Sequence, residues 1–316
     1  YLGTQTALNE APLESLKATF NSFNPRFIAK YRATENTNLY AVASRGDKPG
    51  GFNDINVKTT GFDTFDEESV WALEAGMKNS LLDNSMIFNL AAYHNTIDDY
   101  QLTQAVTLST GGTFTAISNI GKVRIQGIEA DFTYRIPNLP VMVLNANYTL
   151  ADSKILEGTD LNEGRHMDVA DDRRLNCSVC LQDPSLPCDA DNVLYGSIEG
   201  RQLPRAPKHT FSLGLTYTRA LTDDLDFNLN SNVSYESKKY VQVHNLAFVG
   251  ANTLLNGSVG ISTDLMSLTV WARNLTNEDA VVSAQRFADP NRSFQRTFIG
   301  NPRLPREFGA TFRRKF

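Results

Sequence analysis

Residues 211–235 read FSLGLTYTRALTDDLDFNLNSNVSY, and this stretch decides the fold class. Apolar and polar side chains alternate with a period of two over 211–218 and again over 225–235, with the short turn LTDD between the two runs. Successive side chains of a β-strand point to opposite faces of the sheet. The pattern therefore predicts two antiparallel strands joined by a short turn, with one apolar face and one face rich in Ser, Thr and Asn.

The same alternation recurs along most of the chain, from about residue 25 onward. We count about eleven strands, each long enough for the roughly 9–11 residues that a tilted strand needs to cross a bilayer. The predicted runs are approximately 25–33, 38–46, 71–78, 84–106, 127–136, 139–153, 211–218, 225–235, 251–262, 265–276 and 305–316. No window approaches the roughly 18 consecutive apolar residues of a membrane-spanning helix.

The polar face and the connections favour a membrane barrel over a soluble β-sandwich. Full charges recur on the polar face, as expected for a water-filled lumen; they include Glu74, Glu129, Asp131 and Arg135. Long connections at roughly 46–68, 107–114, 154–206, 239–250 and 277–304 alternate with short ones at 34–36, 82–84, 137–140, 221–224 and 262–264. Outer-membrane barrels have short periplasmic turns and long outer loops. The sequence thus predicts an all-β protein, a transmembrane antiparallel up-and-down β-barrel.

Composition and motifs exclude other classes of function. The formal net charge of −5, without any basic block, argues against a nucleic-acid partner. The sequence contains neither G-x-S-x-G nor H-E-x-x-H. We therefore predict that the chain is not an enzyme and that it carries no cofactor, no catalytic residue and no resident metal.

The three cysteines, Cys177, Cys180 and Cys188, lie in one predicted loop. Clustering of this kind in an oxidising compartment favours one disulfide, from Cys188 to Cys177 or Cys180, and a spare thiol. A bridge between Cys177 and Cys180 would need a strained turn. A zinc site with a histidine such as His166 as fourth ligand, or three free thiols, are the alternatives.

Seven short strings occur along the chain in a fixed order: LYAVASRG running into KPGGFN at 39–53, EAGMK at 74–78, FNLAAY and DYQ at 88–101, NIGKV and GIE at 119–129, LPRAP at 203–207, RNLTNE at 273–278, and PR, FG and a final F at 302–316. In this order they resemble the β-barrel of the TonB-dependent outer-membrane receptors. Arg314 departs from the pattern, because barrels of this kind often have an aromatic residue there.

The resemblance implies that residues 1–316 are a partial barrel domain. The family has an N-terminal plug domain inside a barrel of about 22 strands, so about eleven strands correspond to the C-terminal half, and the plug domain is absent. Half a barrel would leave two unpaired edges facing lipid, which is costly; we therefore expect a fragment of a longer protein. The Cys-containing loop at about 154–206 would be extracellular.

The resemblance also implies a function, location and partners. We expect active uptake of a scarce nutrient across the cell outer membrane, most often a ferric siderophore in this family. The alternatives are a passive porin, or uptake of cobalamin, haem or an oligosaccharide. The expected partners are the outer-membrane bilayer, a small-molecule chelate or nutrient, and a TonB-type energy transducer that acts through the missing plug region.

An anionic ferric chelate needs cationic donors at the outer mouth of the barrel, and aromatic side chains there could stack on it. The candidate ligand-binding residues at or near the predicted outer loops are Arg45, Lys48, Phe52, Arg165, His166, Arg173, Arg174, Arg286, Arg292 and Arg296.

Overall fold

The computed structural model describes residues 17–53, 63–107, 113–137, 141–160, 175–176, 188–189, 196–289 and 295–315, which contain strands and no helix. In chain order the strands are β1 (Arg26–Arg32), β2 (Thr37–Lys48), β3 (Gly51–Phe52), β4 (Thr64–Phe65), β5 (Glu68–Leu81), β6 (Met86–Asp98), β7 (Gln101–Thr107), β8 (Thr113–Asn119), β9 (Lys122–Arg135), β10 (Met142–Glu157), β11 (Leu175–Asn176), β12 (Cys188–Asp189), β13 (His209–Thr222), β14 (Leu225–Glu236), β15 (Lys239–Tyr240), β16 (Phe248–Val249), β17 (Asn252–Ser262), β18 (Met266–Arg273), β19 (Val281–Asp289), β20 (Gln295–Pro302) and β21 (Glu307–Arg314). The described residues include no helix long and apolar enough to cross a membrane.

Eleven strands form one large sheet in the order β1-β2-β5-β6-β9-β10-β13-β14-β17-β18-β21, and all neighbours in it are antiparallel. This order confirms the predicted up-and-down arrangement. The predicted run 84–106 was wrong in one respect, because it comprises two strands. Asp99 has a φ of 54°, in the left-handed region, and turns the chain out of the large sheet between β6 and β7.

The two faces of the sheet follow the alternation in the sequence. Directly paired residues lie on the same face, and Tyr148 pairs with both Ala130 and Phe211. The predicted apolar set shares this face, which we call the outward face: Ile128, Ala130, Phe132, Phe211, Leu213, Leu215, Phe227 and Leu229. On the opposite face, which we call the inner face, Asn147 pairs with Asp131 and Ser212. The predicted separation of the two faces is confirmed.

Polar side chains on the inner face bond to one another across strands. Asn228 accepts a hydrogen bond from Thr218 at 3.1 Å and donates one to Ser262 at 2.8 Å. The Tyr40 hydroxyl donates to the Glu74 carboxylate at 2.6 Å. These bonds link the polar side chains of neighbouring strands along the inner face.

The two ends of the sheet differ in the length of their connections. The end that we call the turn end has the short links 33–36, 82–85, 136–141, 223–224 and 263–265. The other end, the loop end, has the segments 49–67, 99–121, 158–208, 237–251 and 274–306. The predicted alternation is confirmed. The long segments also contain small strand pairs of their own, β3–β4, β7–β8, β11–β12, β15–β16 and β19–β20.

The apolar core lies at the loop end rather than between layers of the sheet. Val123 pairs with Ile97 and Ile155 on the inner face, where Ile198 and Val243 from the long segments pack against them. A water-filled lumen was the expectation for the whole inner face. At the loop end, however, residues of the long segments pack against the inner face and exclude water from it. The inner-face positions of the strands are therefore apolar there.

Candidate ligand site at the loop end

Several loop segments meet around a cavity of about 570 Å³, which we call the loop cavity. Its lining residues are Tyr100, Gln101, Leu102, Thr103, Asp160, Pro204, Arg205, Val241, Gln242, Val243, His244, Gln285 and Arg286. Two guanidinium groups, one imidazole, one phenol and three side-chain amides therefore surround a partly apolar space. This combination of an apolar lining with a few polar groups is typical of small-molecule sites.

The wall formed by Tyr100 and Gln101 is held by bonds to neighbouring loops. The backbone of Tyr100 donates to Gly121 at 3.0 Å and accepts from Ile120 at 2.9 Å. The amide of Gln101 donates to the carbonyls of Pro49 at 2.9 Å and Asp66 at 3.0 Å. Gln101 is only 7% exposed, so these bonds satisfy a side-chain amide that water reaches poorly.

The opposite wall depends on two residues with left-handed backbones. Asn245 has a φ of 56°. Its side chain accepts from the Gln202 backbone N–H at 2.6 Å and donates to the Gln202 carbonyl at 2.9 Å. Arg205 has a φ of 60°, and its N–H donates to the Tyr240 carbonyl at 2.8 Å. Asparagine tolerates this conformation well, whereas arginine rarely adopts it. The surrounding bonds therefore hold Arg205 at the cavity wall.

A buried acid–base pair joins two further segments of the cavity. His244 Nε2 lies 2.9 Å from Asp160 Oδ2, and the two side chains are only 4% and 5% exposed. The residues are 84 positions apart in the sequence, so the contact links the chain beyond β10 to the chain beyond β15. The contact therefore ties two loop segments together at the wall of the cavity.

The electrostatics of the loop cavity favour an oxygen-rich anion. Arg205 and Arg286 are always charged, and a guanidinium group can bind carboxylate or catecholate oxygens with two parallel bonds. Burial, and then the Glu68 carboxylate, raise the pKa of Tyr100 above its ordinary value. The phenol is thus protonated at neutral pH and can donate a hydrogen bond. In the described part of the chain, no three or more His, Cys, Asp or Glu side chains lie close enough to hold a metal ion.

The comparison with protein families decides the identity of the fold. A profile described as TonB dependent receptor-like, beta-barrel matches residues 3–275, most of the chain. The chain belongs to the TonB-dependent receptor family. Proteins of this family are outer-membrane β-barrels, which gives the eleven-stranded sheet its location and its bilayer environment.

Known TonB-dependent receptors are similar to this one at low identity. The metal-pseudopaline receptor CntO of Pseudomonas aeruginosa is 28% identical over 153 residues, which are 48% of this chain and 20% of that protein. The ferric yersiniabactin uptake receptor FyuA from Yersinia pestis superposes with a TM-score of 0.65 at 17% identity, covering 92% of this chain and 37% of that one. The siderophore receptor PiuA from Acinetobacter baumannii superposes with a TM-score of 0.58 at 18% identity, covering 91% of this chain and 35% of that one. The chain thus spans about a fifth of the length of the curated relative CntO.

Among the sequence-predicted ligand residues whose side chains the structure describes, only Arg286 lines the loop cavity of this TonB-dependent receptor segment. Arg45 forms an ion pair with Asp47 at 3.1 Å and pairs with Trp71, which places it on the outward face. Lys48 is exposed at the end of β2, and Phe52 is 40% exposed in β3. The structure does not bring these three residues to the cavity.

The remaining predicted residues lie partly or wholly outside the described part of the chain. Seven of them lie outside the described residues: Arg165, His166, Arg173, Arg174, Arg292, Cys177 and Cys180. Arg296 lies in β20 opposite Ala288, and Cys188 lies in β12 opposite Leu175; the side chains of both are also outside the described part.

Sequence reasoning missed several residues of the loop cavity. Arg205 belongs to the LPRAP string, which signalled the family but not a ligand contact. Asp160 and His244 carry no local signal, because their pairing depends on a contact across 84 positions. The alternation of polar and apolar residues ends where the strands end, so it contains no information about these loops.

Proposed function

We propose that this TonB-dependent receptor takes up an anionic ferric siderophore, which is captured in the loop cavity. The observation that carries the proposal is the convergence of Arg205 and Arg286 on one partly apolar cavity at the loop end. Relatives named as receptors for metal-pseudopaline and ferric yersiniabactin support this substrate class. Ferric iron would arrive as cargo inside the chelate, so the protein needs no metal ligands of its own.

The chemistry of capture follows from the lining of the loop cavity. Guanidinium groups would bind the anionic oxygens of the chelate, and the Tyr100 hydroxyl and the amides would orient it by hydrogen bonds. Leu102, Val241 and Val243 supply apolar contacts. We propose that the ligand is transported without catalysis, as in the relatives named as receptors. Energy would come from a TonB-type transducer acting through a plug domain, as in the family.

Removal of the two cavity arginines tests the site. We expect Arg205→Ala combined with Arg286→Ala to weaken binding of the preferred ferric siderophore about 100-fold, because two charge-assisted hydrogen bonds are lost. Binding would be measured by titration of the purified full-length receptor with a panel of catecholate, hydroxamate and carboxylate chelates. Arg273→Ala is the matched control, since this arginine at the loop end is 70% exposed and does not line the cavity. Its contacts are a long ion pair with Glu307, at 4.0 Å, and the Trp271 ring, whose centroid is 4.9 Å away.

The same panel distinguishes the alternative substrates and mechanisms. Tight binding of cobalamin, haem or an oligosaccharide, with no binding of any ferric chelate, would overturn the siderophore proposal. Uptake by cells is expected to stop when the TonB gene is deleted or a protonophore is added. Uptake that continues under both conditions would indicate a passive porin instead.

We further propose that Cys188 forms a disulfide with Cys177 or Cys180. The bridge would close 11 or 8 positions of the chain and contribute about 2–3 kcal/mol by restricting the unfolded loop. Mass spectrometry of non-reduced peptides from the outer-membrane protein is expected to show one of these two linked pairs and one alkylatable thiol. Three alkylatable thiols without bound metal would contradict the proposal, and bound zinc would favour the metal site.

A further inference from the structure

The outward face carries a cluster of charges where its apolar belt ends, near the loop end. Arg124 and Lys208 both lie 3.0 Å from the Asp152 carboxylate. Arg124 is paired with Lys154 in the neighbouring strand. Both residues lie on the same side of the sheet as Tyr148 and Ile128, two positions or more beyond the apolar residues. We call Arg124, Lys154 and Lys208 the cationic cluster.

The cationic cluster has more positive charge than its own carboxylate can neutralise. Arg124 and Lys208 share the Asp152 carboxylate. Lys154, opposite Arg124 in the neighbouring strand, is exposed and forms no ion pair with any described residue. The Nε of Arg124 is buried and has no hydrogen-bond acceptor in the described part of the chain. The next pair along β9 is balanced, because Lys122 lies 3.0 Å from Asp98. The excess charge is therefore local.

An apolar groove of about 660 Å³ lies on the same face beside this cluster. Its floor is lined by small side chains on four neighbouring strands: Ala29, Ala41, Ala43, Ala75 and Ala92. Phe27 and Leu73 border the groove. In an outer-membrane barrel this face contacts the acyl chains of the bilayer, so a depression here can accept an acyl chain.

His94 connects the groove to the cationic cluster. This residue lines the groove, and its ring nitrogen lies 3.2 Å from the Gln126 side chain. Residues Leu73, His94, Gln126 and Asp152 are paired in succession across four adjacent strands. Since neighbouring strands are about 4.8 Å apart, Asp152 lies roughly 10 Å from His94 across the sheet. One molecule can thus reach from the groove to the cluster.

We propose that the groove and the cationic cluster together bind one anionic lipid of the outer leaflet, with its phosphate headgroup on Arg124, Lys154 and Lys208 and an acyl chain in the groove. The position argues for a lipid over a soluble anion, because the cations adjoin an apolar surface at the membrane border. Cationic side chains at this level attract anionic headgroups. Guanidinium and ammonium groups are the usual phosphate ligands.

The test measures lipid binding by the purified full-length receptor in detergent, with native mass spectrometry and competition titration. The probes are diphosphoryl lipid A, the same lipid after removal of both phosphates, and inorganic phosphate. We expect the double variant Arg124→Gln, Lys208→Gln to bind diphosphoryl lipid A about 30-fold more weakly, and the exposed Lys154→Gln to weaken it less. Ala41→Phe, which fills the groove, should also weaken binding several-fold.

Matched controls lie on the same face outside the proposed site. Arg219 is exposed near the turn end, where it pairs with Phe227, and Ala130 is an outward residue that does not line the groove. Arg219→Gln and Ala130→Phe should leave binding unchanged, and circular dichroism should show that all variants are folded. Equal binding of the phosphate-free lipid would overturn the proposal. The proposal would also be overturned if inorganic phosphate displaced the lipid completely and Ala41→Phe had no effect on binding. The site would then bind free phosphate only.

Discussion

Replacement of Ile155 by alanine is expected to lower the free energy of unfolding by about 2–5 kcal/mol, the range for a large-to-small substitution in a packed core. Ile155 is 0% exposed at the end of β10, and it belongs to the apolar cluster that contains Val123 and Ile198. The missing methyl groups would leave a void that the rigid strands cannot fill. The measurement is a urea titration of the full-length receptor refolded into lipid vesicles.

The location of the damage distinguishes this core from general loss of apolar surface. Hydrogen exchange should accelerate around 196–206, because this segment is held to β10 through Ile155 and its backbone bonds to Gly200 and Arg201. Ile299→Ala is the control, since Ile299 lies in a loop strand and is 43% exposed; an effect below about 0.5 kcal/mol is expected there. Equal effects of the two substitutions would show that the loop-end cluster does not behave as a core.

Replacement of Leu215 by arginine is expected to destabilise the barrel by roughly 2–4 kcal/mol if the residue lies at the bilayer midplane. Leu215 is in the middle of β13, where it pairs with Leu144 and Ser231 on the outward face. An arginine there must remain in hydrocarbon or distort the bilayer to reach water. The unfolding free energy of the receptor in vesicles measures the effect.

The neighbouring position supplies the matched control. Thr216 pairs with Asn230 on the inner face, so Thr216→Arg introduces the same side chain at the same height in a polar environment. A much smaller effect, below about 1 kcal/mol, is expected because the charge remains hydrated. Equal destabilisation by the two variants would mean that β13 does not separate lipid from water.

The sequence by itself determined the strands of the large sheet, the two faces and the alternation of long and short connections. These features depend on a rule that acts between adjacent residues, because every second side chain of a strand points the same way. The rule also places Arg45 on the outward face, because Arg45 is separated from Ala43 and Leu39 by an even number of positions. The seven strings identified the family, since their order was preserved across nearly the whole chain.

Only the tertiary structure decided where the core and the loop cavity lie. Ile97, Val123 and Ile155 occupy inner-face positions, where alternation predicts contact with water, and they are buried because distant loops fold over them. The loop cavity depends on contacts such as that between Asp160 and His244, which are 84 positions apart. Such contacts form only when many loops close together. Periodicity along a single strand cannot encode them, because it describes neighbours in sequence rather than neighbours in space.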